Sequence, residues 1–259
     1  NGSVKIALNT QIKNNKMQFL DAQINGLGGN IMAKLVNGEL NAQIKDIKLA
    51  EALSLASLPP LAKSQINGFA KITGLNNPQN ANGNASLKFS KGELDYKQMN
   101  KILNSDLKSN IIFTGDTKIS VLSGVLNLDA LLDSPALKMA KLSAKYELNT
   151  ASGDADFNAN IPNLGLIFGS KAKTSAYIKA NANFKNNAIA KANIDINGLG
   201  GNINATLNNQ SLQANINNIQ AGNVFAIIAQ DELFSGSLNA NINLSSLDIT
   251  KLNGQGQIS

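Results

Sequence analysis

INGLGGNI, residues 24–31, returns letter for letter at 196–203. A displacement of 172 residues aligns far more than this octet. SVKIALNTQIKNNKMQFLDAQINGLGG (3–29) falls on SAYIKANANFKNNAIAKANIDINGLGG (175–201) without a gap, and NGELNAQIKDI (37–47) falls on NQSLQANINNI (209–219). Repetition on this scale constrains the architecture before any single motif is read. A phosphate cradle needs a strand, a glycine turn and then a helix whose N-terminus faces the anion. Both copies of the octet run instead into alternating segments, NIMAKL and NINATL. The glycines Gly26, Gly28, Gly29 and Gly198, Gly200, Gly201 therefore read as a hairpin turn plus a bulge.

Period-two alternation extends outward from there. In the first copy the apolar sets are Leu20, Ala22, Ile24; Ile31, Ala33, Leu35; and Leu40, Ala42, Ile44. In the second they are Ala192, Ile194, Ile196; Ile203, Ala205, Leu207; and Leu212, Ala214, Ile216. The middle of the chain adds Leu126, Leu128, Ala130, then Leu137 and Met139, then Leu142, Ala144, Tyr146, Leu148. Asn-Gly pairs at 37–38, 67–68, 82–83 and 253–254 fit the positive-φ turns of hairpins. Short strands at this spacing predict an all-β chain of about 20 strands, mostly antiparallel, with one apolar and one polar face. Three segments break the pattern: LAEALSLASLPPLA (49–62), YKQMNKIL (96–103) and AGNVFAIIA (221–229). Each reads as a short helix or crossing segment, the first stopped by Pro59 and Pro60.

Composition narrows the function classes. The 259 residues carry a net charge of +6, yet all 23 basic residues are lysine. Without arginine, and with aromatics at 5%, the chain lacks both bidentate phosphate contacts and stacking platforms. Nucleic acid is therefore rejected as a partner, and a weak attraction to anionic lipid headgroups fits better. The absence of cysteine excludes disulfides and thiolate metal sites. No apolar run reaches the length of a membrane helix; the longest are NLGLIFG (163–169) and VFAIIA (224–229). A repeat cut off partway through its second copy predicts an excerpt of a longer protein.

Catalytic chemistry has little to work with. There is no histidine and no cysteine, so the common general base and thiol nucleophile are both missing. Asp154 and Asp156 share a strand face and could bind a hard cation or act as a carboxylate pair, but solvated residues on a wet face explain them more simply. Asp231 and Glu232 fit a turn after VFAIIA. Lys63 and Ser64, as neighbours on a strand, point to opposite faces and make no dyad. No enzyme, metal or cofactor is expected.

GNASLKFSKGELDYKQMNKIL (83–103), LSGVLNLDALLDSPALKMAKLSAKYELN (122–149), LPPLAKSQINGFAKITG (58–74) and GSLNANINL (236–244) form an ordered series of strand, turn and short helix. The series resembles the AsmA-like superfamily, of the AsmA and TamB type, from Gram-negative bacteria. That resemblance implies a long curled antiparallel sheet, a repeating β-groove or β-taco with an apolar inner face and a few short crossing helices. It divides the chain into 1–74, the end of a repeat unit with the first INGLGGNI hairpin; 75–171, a middle segment; and 172–259, a truncated second copy. All three belong to one continuous elongated domain.

The resemblance further implies a periplasmic protein with an inner-membrane anchor outside this chain. Phospholipid acyl chains would move along its groove between inner and outer membranes, with an outer-membrane assembly protein as a possible partner. The alternating apolar residues of both copies, with Leu126, Leu128, Ala130, Leu137 and Met139, are the expected groove lining. The alternatives are a periplasmic scaffold for outer-membrane protein assembly and a secreted parallel β-helix adhesin.

Overall fold

The computed structural model describes residues 4–14, 16–75, 77–103, 107, 110–170, 172–228, 230–246 and 253–259. Among these lie sixteen strands in one antiparallel sheet whose spatial order is the sequence order. The first eight are β1 (Lys5–Lys13), β2 (Lys16–Gly26), β3 (Gly29–Val36), β4 (Glu39–Lys48), β5 (Ala62–Thr73), β6 (Asn82–Leu94), β7 (Ile111–Leu122) and β8 (Val125–Asp133). The others are β9 (Lys138–Glu147), β10 (Ser152–Ile161), β11 (Ala176–Lys185), β12 (Ala188–Gly198), β13 (Gly201–Asn208), β14 (Ser211–Gln220), β15 (Ser237–Leu244) and β16 (Gly254–Ile258). The chain forms two compact units, the first holding β1–β8 and the second β10–β16. The all-β expectation holds, with sixteen described strands rather than about twenty. An antiparallel meander also excludes the parallel β-helix, whose neighbouring strands run the same way.

Each INGLGGNI octet is a hairpin. Gly26 pairs with Gly29, and the two residues between them, Leu27 and Gly28, have φ of 55° and 79°. Leu199 and Gly200 repeat this at 58° and 83°. Positive φ at both central positions is the type I′ turn, whose twist matches that of the flanking strands. No bulge interrupts β2 and β3 or β12 and β13. The bulge lies one strand further on: pairing of β4 with β5 shifts register between Ile44 and Ile47, and that of β14 with β15 between Ile216 and Ile219. Asp46 and Asn218 take up the extra residue at φ of 55° and 53°. Gly29 and Gly201 make room for it, because a Cβ there would stand 2.0 Å from the Lys45 carbonyl oxygen and 2.1 Å from that of Asn217.

Of the Asn-Gly pairs at 37–38, 67–68, 82–83 and 253–254, only Asn37-Gly38 is a hairpin turn, joining β3 to β4 at φ of 52° and 78°. Asn67-Gly68 lies inside β5, Asn82-Gly83 opens β6, and Gly254 opens β16. Asn67 supports the bulge instead of a turn. Its side-chain oxygen accepts from the Asp46 N–H at 3.0 Å, occupying the backbone donor that the bulge frees. In the second copy Asn239 does the same for Asn218 at 2.9 Å.

Four helices are described: α1 (Leu49–Leu55), α2 (Tyr96–Leu103), α3 (Leu164–Phe168) and α4 (Ala221–Ile227). Three are legible as breaks in alternation. The fourth, α3, forms from NLGLIFG, where Asn163 accepts from the Gly165 N–H at 2.9 Å and Gly169 closes the helix at φ 66°. The α1 helix ends at Leu55, before the prolines, and Ser57 turns the chain at φ 59°. All four helices follow even-numbered strands, so in a meander those of one unit leave the sheet by the same end. The 172-residue repeat is structural as well. Residues 49–55 correspond to 221–227, and the two buried isoleucines beside the bulges, Ile47 and Ile219, are also one displacement apart.

Candidate functional site

Antiparallel pairing places partner residues on the same face, so the register of the ladders turns the alternating sets into rows that run across the strands. In the first unit Ile6, Ile24, Ile31 and Ile44 form one row on β1–β4. Beside it, Ala22, Ala33, Ala42, Ala70 and Ala85 stand in register on five successive strands. A third row follows with Leu20, Leu35, Leu40 and Ile72. The same rows continue to Ala130, Leu128 and Leu126 on β8. On β2–β4 a line of methyl groups thus runs between two lines of branched side chains, and on β5 and β6 glycines Gly68 and Gly83 enter the flanking rows.

The second unit repeats the design with two changes. Ile178, Ile196, Ile203 and Ile216 form the isoleucine row. The small row reads Ala180, Ile194, Ala205, Ala214, so Ile194 interrupts it. The third row is Ala182, Ala192, Leu207, Leu212. Most of these side chains are half-buried, Leu35 is buried and Ile194 is exposed. Two of the sequence candidates stand apart: Leu137 precedes β9 in a turn, and Met139 has φ 57° and is 66% exposed.

The opposite face is mostly polar, although Met32 and Phe69 stand on it in register with Gln23 and Gln43. Asn193 donates to Asn181 at 2.8 Å, Asn204 to Asp195 at 2.6 Å and Asn217 to Asn202 at 2.9 Å. Asp154, suggested by sequence as half of a carboxylate pair, accepts from Asn183 across the same face. Asp156 is opposite Asn181. Glu39 accepts from Asn41 at 2.9 Å and lies 3.1 Å from the Lys71 ammonium, which together hold its carboxyl below the ordinary value. The Ser64 hydroxyl donates to the Ser90 carbonyl at 2.8 Å, and Lys63 beside it is exposed. No cluster of three potential metal ligands occurs among the described residues.

One rung of the ladder is missing. The Asn30 side-chain oxygen is buried without a partner, whereas its counterpart Asn202 is served by Asn217. The residue facing Asn30 is Lys45, where the second copy has asparagine. Lys45→Asn should supply the absent donor and stabilise the fold by about 1 kcal/mol. A urea midpoint that rises with an unchanged slope would register it; an unchanged or lower midpoint would count against this explanation.

Helices cover the end of the apolar face in the second unit. α3 packs on α4, and beneath them lies a cavity of about 480 Å³. Ile178, Ile196 and Ile203, from the isoleucine row, help to line it. Leu164, Ile167 and Phe168 of α3 and Val224, Ile227 and Ile228 at α4 complete much of the wall. Leu199 also lines it: the left-handed turn places its side chain at the cavity, while its carbonyl accepts from the Gln220 N–H at 2.9 Å.

The chain matches no family model, no curated protein and no solved structure. The two faces and the cavity are therefore what bear on function. The cavity is what sequence reading missed. Its signal is present in NLGLIFG, an apolar segment bracketed by an N-capping asparagine and a C-capping glycine.

Proposed function

We propose that this chain is a segment of a lipid-transfer protein that holds phospholipid acyl chains against its apolar face, between two membranes in the periplasm. The observation that carries the reading is the alanine row. Five alanines in register, flanked on β2–β4 by isoleucine on one side and leucine on the other, make a shallow trough that runs along the sheet rather than along a strand. Its four inter-strand steps of about 4.8 Å give a length of about 19 Å. Curling of the sheet around this trough would make it the inner face of a groove.

The energetics suit such a cargo. At about 0.8 kcal/mol per methylene, a chain of about 16 carbons costs on the order of 12 kcal/mol to expose to water, and an apolar trough offsets most of that. With no polar group in the alanine row, nothing fixes the chain at one place along it, so a lipid can slide. The polar face, with its asparagine rungs and lysines, stays in water. No helix among the described residues is long and apolar enough to cross a membrane.

Photo-crosslinking tests this reading. With p-benzoylphenylalanine at Ile31 or Leu35, the chain expressed in a Gram-negative host should yield phospholipid adducts. At Lys34 or Gln43, on the polar face, it should not. Adducts to both faces alike, or to neither, would overturn the proposal. Adducts to unfolded outer-membrane proteins at Ile31 would favour the scaffold reading instead.

A further inference from the structure

We propose that the cavity beneath α3 and α4 seats the methyl end of a single unbranched hydrocarbon chain, tail first, with the polar head outside. The inference rests on the apolar-face reading and adds to it a definite seat for the tail. The chemistry of the lining selects the occupant. Every lining residue is aliphatic, aromatic or glycine, so no side chain offers a hydrogen bond. Water would find none of the two to four polar partners that buried water requires, and apolar cavities of this kind stay dry and take up hydrocarbon. A carboxylate or phosphate head inside would be left without partners, which is costly. The tail alone fits.

The size suits an acyl chain. A cavity of about 480 Å³ lies in the ordinary range of small-molecule sites. With a methylene close in volume to the roughly 30 Å³ of a water molecule, it has room for a tail of about 16 carbons. The position supplies a route in. The isoleucine row that borders the small-residue row continues into the cavity floor through Ile203, Ile196 and Ile178. At the rim, Ile228 is 55% exposed and marks the mouth.

Val224 and Ile228 stand where the first copy has Ala52 and Ala56, so these two larger apolar walls belong to the second copy.

Spin-labelled stearic acid tests this on the intact chain with isotope-labelled isoleucine methyls. A nitroxide at carbon 16 should erase the methyl signals of Ile167 and Ile227. A nitroxide at carbon 5 should broaden them less and broaden that of Ile228 more. Val224→Phe should fill the cavity, restore the Ile167 signal in the presence of the carbon-16 label, and leave broadening at Ile31 and Ile44 unchanged. Equal broadening of Ile167 by both labels would overturn tail-first seating. Broadening at Ile31 and Ile44 without any at Ile167 or Ile227 would overturn the cavity site and leave the apolar-face reading standing. No broadening at any of these isoleucines would overturn both. The wild-type comparison of the two labels decides the matter even if the filled variant fails to fold.

Discussion

Gly29→Ala should destabilise the first copy by about 3 kcal/mol or more, an effect at the high end for a single methyl group. The new Cβ would stand 2.0 Å from the Lys45 carbonyl oxygen and 2.6 Å from the Asp46 carbonyl carbon. Both are backbone atoms at the bulge, so no rotamer change relieves the clash. Either β3 moves away from β4 and loses ladder bonds, or the bulge is expelled and the register of β4 slips, turning its apolar residues to the polar side. Gly201→Ala should do the same in the second copy, where the approach to Asn217 is 2.1 Å. Gly38→Ala is the control. Gly38 has φ of 78° with nothing within 4 Å of its virtual Cβ, so it carries only the left-handed strain of about 1–2 kcal/mol. Denaturant unfolding of the three variants checks the ranking. Equal losses at Gly29 and Gly38 would mean that turn conformation, not close approach, fixes these glycines.

That contrast marks how far sequence reaches here. Alternation decides the strand faces: the predicted sets on β2–β4 and on β12–β14 all join the rows, because period two is a property of the strand itself. Register, which sets alanine beside alanine, is hidden in turn lengths and bulges. The glycine pattern places the bulge one strand too early, because the glycine and the extra residue at Asp46 lie on different strands. Asn67-Gly68 carries a turn signal and is strand interior, since Asn67 serves the bulge at Asp46 and Gly68 faces a Ser86 carbonyl that would lie 2.3 Å from a Cβ. Met139 fits the alternation, yet it takes a positive φ and its side chain is exposed. The α3 helix has five residues, too few for periodicity to register. The cavity that it closes depends on packing between segments far apart in the chain.

The central claim is that the alanine rows hold acyl chains, and native mass spectrometry of the gently purified chain, with organic extraction of what co-purifies, tests it most directly. The wild type should carry phospholipid. Changing Ala33, Ala42, Ala205 and Ala214 to aspartate places hydrated carboxylates in the small-residue rows of both units. Each keeps water where a methylene would lie, so four deny the tail roughly 3 kcal/mol at about 0.8 kcal/mol per methylene. That is on the order of a hundredfold in Kd, enough to strip the lipid during purification. A control set, Gln23, Gln43, Gln213 and Asn215 to aspartate, adds the same charge to the polar face and should leave the lipid bound. Bound phospholipid in the wild type and the control, with none in the alanine-row variant, is the predicted result. A wild-type chain free of lipid, or a lipid retained when the alanine rows carry four charges, would contradict the account.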